Sequence, residues 1–133
     1  MSGLREFFAK DRFATRNGIT LEEVAEGRAR ARLAVGPEHL NAAGVVQGGA
    51  VFTLADFAFA AASNSRGNVA LAIEAHVTFL RAVRTGVLRA EGREEGGSRR
   101  LSTCTVRVTD EAGSLVGLFT GTAFRKDDPQ PPP

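Results

Sequence analysis

At 133 residues the chain is long enough to bury one hydrophobic core and too short for two independent ones. Apolar residues supply 43% of it and charged residues 24%, which excludes a mainly disordered polymer. Lys and Arg number 17 against 15 Asp and Glu, scattered along the chain, so the formal charge of +2 forms no basic block and no nucleic-acid partner is expected.

The basic set is almost entirely Arg, whose planar fork suits phosphate groups, although a compositional bias alone produces the same excess. The N-terminal stretch MSGLREFFAKDRFA lacks the roughly 7–15-residue apolar core of a secretory signal, so neither export nor a membrane partner is expected. A lone Cys104 in STCTVRV cannot close an internal disulfide, and no cluster of Cys and His offers metal-ligand spacing. A cytoplasmic, metal-free protein is the expectation.

Leu4, Phe7, Phe8 and Ala14 recur among charges at helical spacing, which predicts an amphipathic helix within 1–16, acting as a lid or plug. From Ile19 to Val35 the pattern alternates, Ala29, Ala31, Leu33 and Val35 against Arg28, Arg30 and Arg32, with Glu26-Gly27 as a turn; this predicts a β-hairpin. Gly36-Pro37 ends it, and the loop GPEHLNAAGVVQGG leads into Ala50–Ser63, apolar at nearly every position. Its length and its Ala, Leu and Phe content predict a helix buried on all sides. After the break at 64–68, three or four strands are predicted, in the runs 69–83, 87–94, 99–109 and 114–125, with Gly96-Gly97 and residues 110–113 as turns. The reading is α+β, an antiparallel sheet wrapped around one long helix. Residues 1–125 form a single domain, and the polar, Pro-rich 126–133 (KDDPQPPP) is an unstructured tail.

Asp56 is the one charged residue between His39 and Arg66, on a helix with no polar face to hold it. A buried carboxylate without a partner is costly, so it either pairs with an Arg or a loop, or it is used. Burial raises its pKa toward the range of a general base unless hydrogen bonds to the ionised form oppose the shift. Gln47-Gly48-Gly49 stands where the helix begins. The first N–H groups there lack intrahelical acceptors, and glycines let a substrate oxygen approach, as a site for a developing oxyanion requires; a plain glycine-rich turn has the same sequence. Gly48 and Asp56 are eight residues apart, roughly 12 Å along a helix axis, too far for both to reach one carbonyl group. If they cooperate, Gly48 of one subunit meets Asp56 of another across a two-fold axis.

The stretch HLNAAGVVQGGAVFTLADFAFAAASN resembles the signature of hotdog-fold acyl-CoA thioesterases, in particular the phenylacetate-pathway (PaaI-like) branch, with its Asn, Gly, His-Gly-Gly and helical Asp. The matching residues are Asn41, Gly44, Gln47-Gly48-Gly49 and Asp56. HVTFLRAV and VTDEAGSLVGLFTGTAFR resemble the family's strand after the helix and its last hairpin, so the likeness runs from about residue 17 to 125.

The resemblance implies a hotdog fold and a homo-oligomer, at least dimeric and tetrameric in the family. It implies that Asp56 is the nucleophile or general base, that the Gly48 N–H polarises the thioester carbonyl, and that Asn41 positions thioester or water. No cofactor is implied beyond the CoA thioester substrate itself. Gln47 replaces the family His: it can donate a hydrogen bond but carries no proton or positive charge. Asn64 and Ser65 are candidates for the acyl pocket, with a helix C-cap as the other reading of Asn64. Arg81, Arg99, Arg100 and Arg66 are candidates for the CoA phosphates or else solvated sheet-edge arginines. Phe52, Phe57, Phe59 and Phe79 serve as an aromatic-acyl pocket or as core. His39 and His76 are read as structural. Hydrolysis of a small or medium acyl-CoA, aryl-acetyl among them, is the leading function; a hydratase or dehydratase and a non-catalytic acyl-CoA sensor are the alternatives.

Overall fold

The computed structural model describes residues 3–133. Two short helices, α1 (Gly3–Phe8) and α2 (Arg12–Arg16), precede the hairpin β1 (Ile19–Ala25) and β2 (Arg28–Ala34). A 3-10 turn at Pro37–His39 leads to the long helix α3 (Gly48–Ser63). Strands β3 (Asn68–Phe79), β4 (Val87–Gly97), β5 (Leu101–Thr109) and β6 (Leu115–Pro129) follow, and all six strands form one antiparallel sheet in the order β1-β2-β4-β5-β6-β3.

The alternation on β2 turns Ala29, Ala31 and Leu33 to the concave side, where Leu88 and Ala90 of β4, Val106 and Val108 of β5 and Phe119 of β6 join them. Helix α3 lies in this trough and buries Val51, Leu54, Phe57 and Phe59 together with Ala55, Ala58, Ala61 and Ala62. The alanines bring its backbone close to the sheet: a Cβ on Gly92 would lie 3.2 Å from the Ala58 carbonyl oxygen, so a side chain at this strand position would push helix and strand apart by a few tenths of an ångström. Removing Leu54 or Phe59, both fully buried, would leave a cavity and cost about 2–5 kcal/mol.

Four expectations change. The N-terminal helix is two, because Asp11 starts a second one by accepting the Ala14 N–H on Oδ1 at 2.9 Å; residues 1–2 lie outside the described chain. Gly96 and Gly97 pair with Thr103 and Ser102 inside β4, and the turn falls at 98–100, where Ser98 N–H donates to Leu101 O. The tail is ordered. Strand β6 reaches Pro129, opposite Asn68; buried Gln130 donates from its backbone to Gly67 O, and Leu4 N–H donates to Pro132 O. The tail's partners, Leu4, Gly67 and Asn68, are far away in sequence, so its polar, Pro-rich composition did not announce them. Finally, α3 is not covered on every side: Gly49, Phe52, Thr53, Asp56 and Ala60 form a stripe left partly open.

The β3 side of the sheet is also open. Strand β3 pairs only with β6, its other edge is free, and Leu71, Ile73 and Phe79 on it are more than half exposed. No helix among the described residues is long and apolar enough to cross a membrane.

Candidate active site

The loop ahead of α3 is held from several sides. His39 is buried, its Nδ1 accepting from Gly36 N–H at 2.9 Å and its Nε2 lying 2.6 Å from Asn17 O, which assigns the proton to Nε2. This is the structural role expected of it; His76 is exposed on β3. Asn41 folds the loop on itself, Oδ1 accepting from Ala43 N–H at 2.9 Å and Val45 N–H at 3.3 Å. Backbone bonds from Val46 to Val83 O and from Gln47 to His39 O, both 2.8 Å, then fix the point where the helix starts.

Gln47 is the N-cap of α3, and its Oε1 accepts from Gly49 N–H at 2.6 Å. Gly48 N–H has no acceptor among the described residues, so it is an open donor at the positive end of a 16-residue helix. The Phe79 ring packs beside Gly48, where a Cβ would lie 3.1 Å from it. Glycine here lets β3 meet the helix start closely.

Asp56 lies two turns further along the open stripe. It is half-buried and has neither hydrogen bond nor ion pair among the described residues. Burial pushes its carboxyl above the usual carboxylate range, and the negative charge of Asp11 on the N-terminal segment adds to the rise. The ion-pair reading of Asp56 is therefore not the one the chain adopts. Its separation from Gly48, eight helical residues or roughly 12 Å, keeps the two apart within one chain.

Other expected site residues are elsewhere. Asn64 and Ser65 are buried at the far end of α3. Asn64 Nδ2 donates to Ala60 O and Ala70 O, while Oδ1 accepts from Ala70 N–H and from Gln130 Nε2. Ser65 Oγ donates to Ala62 O and accepts Gly27 N–H. Both are clamps with their bonding groups in use, Asn64 as the C-cap of α3, and neither borders the cleft beside the start of that helix. Of the arginines, Arg66 pairs with Glu26 at 2.5 Å and Glu94 at 3.2 Å, Arg81 approaches Asp110 at 3.5 Å, and Arg100 meets Asp127 at 2.9 Å and lies over the Phe124 ring. Arg99 is exposed in the 98–100 turn. Phe57 and Phe59 are core, while Phe52 borders a cleft.

That cleft, of about 520 Å³, runs along the first two turns of α3 and is bordered by Phe13, Leu40, Gln47, Gly49, Phe52 and Thr53, among others. A larger groove, about 610 Å³, crosses the outer sheet face between Arg28, Arg93 and Arg107 and has no residue of α3 in its wall. The smaller cleft is the one beside the start of α3. Phe13 and Arg84 had no part in the sequence reading. Arg84 Nη1 donates to Gly44 O at 3.1 Å, which brings a cation to the Asn41 loop, and its place just after the HVTFLRAV run was the available signal.

A six-stranded antiparallel sheet cradling one long helix defines the hotdog class of domain, and here that helix carries an open donor at its start and, midway, a carboxylate unpaired among the described residues. The chain belongs to the thioesterase superfamily, whose family model matches residues 43–116, and is a thioester-hydrolysing enzyme. It is 30% identical over 119 residues to the acyl-coenzyme A thioesterase PaaI of Escherichia coli, spanning 89% of this chain and 85% of that protein. A solved structure of the E. coli PaaI protein superposes with a TM-score of 0.91 over 96% of this chain and 93% of that one. A mutant of the phenylacetic acid degradation protein PaaI from Thermus thermophilus is similar at 38% identity and a TM-score of 0.83, covering 87% and 100% of the two chains.

Proposed function

We propose that the enzyme hydrolyses small or medium acyl-CoA thioesters, aryl-acetyl esters among them, to the free acid and CoA. The observation that carries this reading is Asp56, a carboxylate without a partner among the described residues, on the open stripe of an otherwise apolar helix. In ionised form it takes a proton from water as the oxygen bonds to the thioester carbon. Negative charge passes to the carbonyl oxygen, which accepts the Gly48 N–H. Collapse of that intermediate breaks the C–S bond, and the proton held by Asp56 goes to the departing sulfur. Asn41, whose Nδ2 has no acceptor among the described residues, orients the thioester or the water.

Since Gly48 and Asp56 are too far apart within one helix, the reacting pair comes from two subunits. The free edge of β3, with Leu71 and Ile73 exposed along it and Phe79 exposed beside the Gly48 end of α3, supports a second copy docking along this strand. Arg84 and Arg99, which have no carboxylate partner among the described residues, are the first choices for the CoA phosphates; Arg66, Arg81 and Arg100 would each have to leave an ion pair. A role in phenylacetate breakdown and a tetrameric assembly follow from the similarity to PaaI as proposals of the same rank.

The test is thiol release from phenylacetyl-, benzoyl-, butyryl- and crotonyl-CoA. Release that Asp56→Ala abolishes supports the reading. Saturable binding without release by the wild type would replace it with a sensor, and loss of the crotonyl absorbance without free thiol would replace it with a hydratase.

A further inference from the structure

We propose that the cleft beside the first two turns of α3 is the acyl pocket, that it admits uncharged aryl-sized acyl groups and rejects those ending in a carboxylate, and that Phe13 and Glu38 set this choice. The inference rests on the hydrolase reading above and deepens it.

Position comes first. Gln47 and Gly49 border the cleft, and Gly48 between them carries the open N–H, so a carbonyl held there directs its acyl group into this space. Its volume of about 520 Å³ falls within the range of small-molecule pockets.

The walls are apolar. Ile19 and Leu33 are fully buried beneath it. Phe52 forms one side and is held by an edge contact with the Phe119 ring, centroids 5.5 Å apart at 64°. Phe13 of α2 also lines the cleft; it is 68% exposed, and no aromatic ring packs on it among the described residues. A large aromatic side chain left without a packing partner beside a cleft gains contact area when a flat ligand group enters.

The polar groups of the lining are nearly all engaged. Both ring nitrogens of His39 are bonded, Asn17 Nδ2 donates to Phe13 O at 2.7 Å, and Thr53 Oγ donates to Gly49 O at 2.7 Å. Gln47 Nε2 is left as a donor suited to the thioester carbonyl. Glu38 is the charged side chain of the lining, a carboxylate 67% exposed at the rim. An acyl group ending in its own carboxylate would meet that charge and find no cation among the lining residues.

The experiment measures kcat/KM for acetyl-, phenylacetyl- and succinyl-CoA with wild type, Phe13→Ala, Phe13→Leu and Glu38→Gln, each confirmed as folded by its thermal transition. Phe13→Ala is expected to lower the phenylacetyl-to-acetyl ratio about tenfold, chiefly through KM, with Phe13→Leu in between. Glu38→Gln is expected to raise the succinyl-to-acetyl ratio of kcat/KM severalfold. Ratios equal to wild type in both the Phe13 and Glu38 variants overturn the inference while leaving hydrolysis intact. Should wild type release thiol from no ester, the hydrolase reading falls, and equilibrium binding of phenylacetyl-CoA then decides: equal affinity of wild type and Phe13→Ala overturns the pocket.

Discussion

Gln47 and Gly49 are joined by a hydrogen bond of 2.6 Å from backbone N–H to side-chain Oε1, and this bond selects which amide at the start of α3 stays open. With Gly49 N–H engaged, Gly48 N–H is the donor that faces outward. Gln47→Ala removes the cap and is expected to destabilise the fold by about 0.5–2 kcal/mol. Urea unfolding followed by circular dichroism reads this directly, and an unchanged midpoint would show that the cap contributes nothing.

Asp56 trades stability for activity. Its folded pKa is raised, so the folded chain holds the proton more tightly than the unfolded chain. Stability therefore falls as pH climbs from the unfolded carboxylate value, near 3.9, through the raised folded one, and the full penalty is present above it. Asp56→Asn is expected to lose about 10²–10⁴-fold in kcat yet melt higher than wild type at pH 7, with the difference vanishing in acid. A lower melting temperature for the variant at pH 7 would contradict this.

The same shift appears in the rate. A base works when ionised, so the acid limb of the kcat–pH profile lies above the ordinary carboxylate range. Asp11 contributes to the rise, and Asp11→Asn keeps a side chain able to cap α2 while removing the charge. The acid limb is expected to move to lower pH in that variant; a limb that stays in place would separate Asp11 from the site.

Gln130 closes the set of bonds around Asn64 through Nε2 to Oδ1 at 2.8 Å. Gln130→Ala is expected to lower stability by about 1 kcal/mol and leave kcat per folded molecule unchanged, since the clamp is at the end of α3 far from Gly48. A fall in kcat without a fall in stability would mean that the tail reaches the site.

Periodicity exposed the hairpin of β1 and β2, the long helix and the strands after it, because each buries one face and writes that face at a spacing of two or of three and four. Asp56 and Gly48 were legible for the same reason: a charge in an apolar run, and glycines where a helix starts, stand out locally. What stayed hidden depends on partners distant in sequence. Gln130 looked like part of a solvated tail because Asn64 lies far upstream, and Asn64, legible as the helix C-cap that it is, gave no local sign that Ala70 and Gln130 take its remaining bonds. The open stripe around Asp56 was missed because a helix rich in alanine reads the same whether its last face meets a sheet or is left for another molecule.

Mixing two inactive variants tests the shared site most directly. Asp56→Ala removes the base, and Gly48→Pro removes the donor at a first helical position whose backbone suits proline, the half-exposed Phe79 ring shifting to admit the new Cβ. Each variant alone is expected to be inactive. Co-refolded in equal amounts, they should recover about a quarter of wild-type activity, since half of the randomly formed dimers carry one intact site of two. Two well-folded variants of wild-type size that regain nothing on mixing would contradict a site built from Gly48 of one chain and Asp56 of its partner.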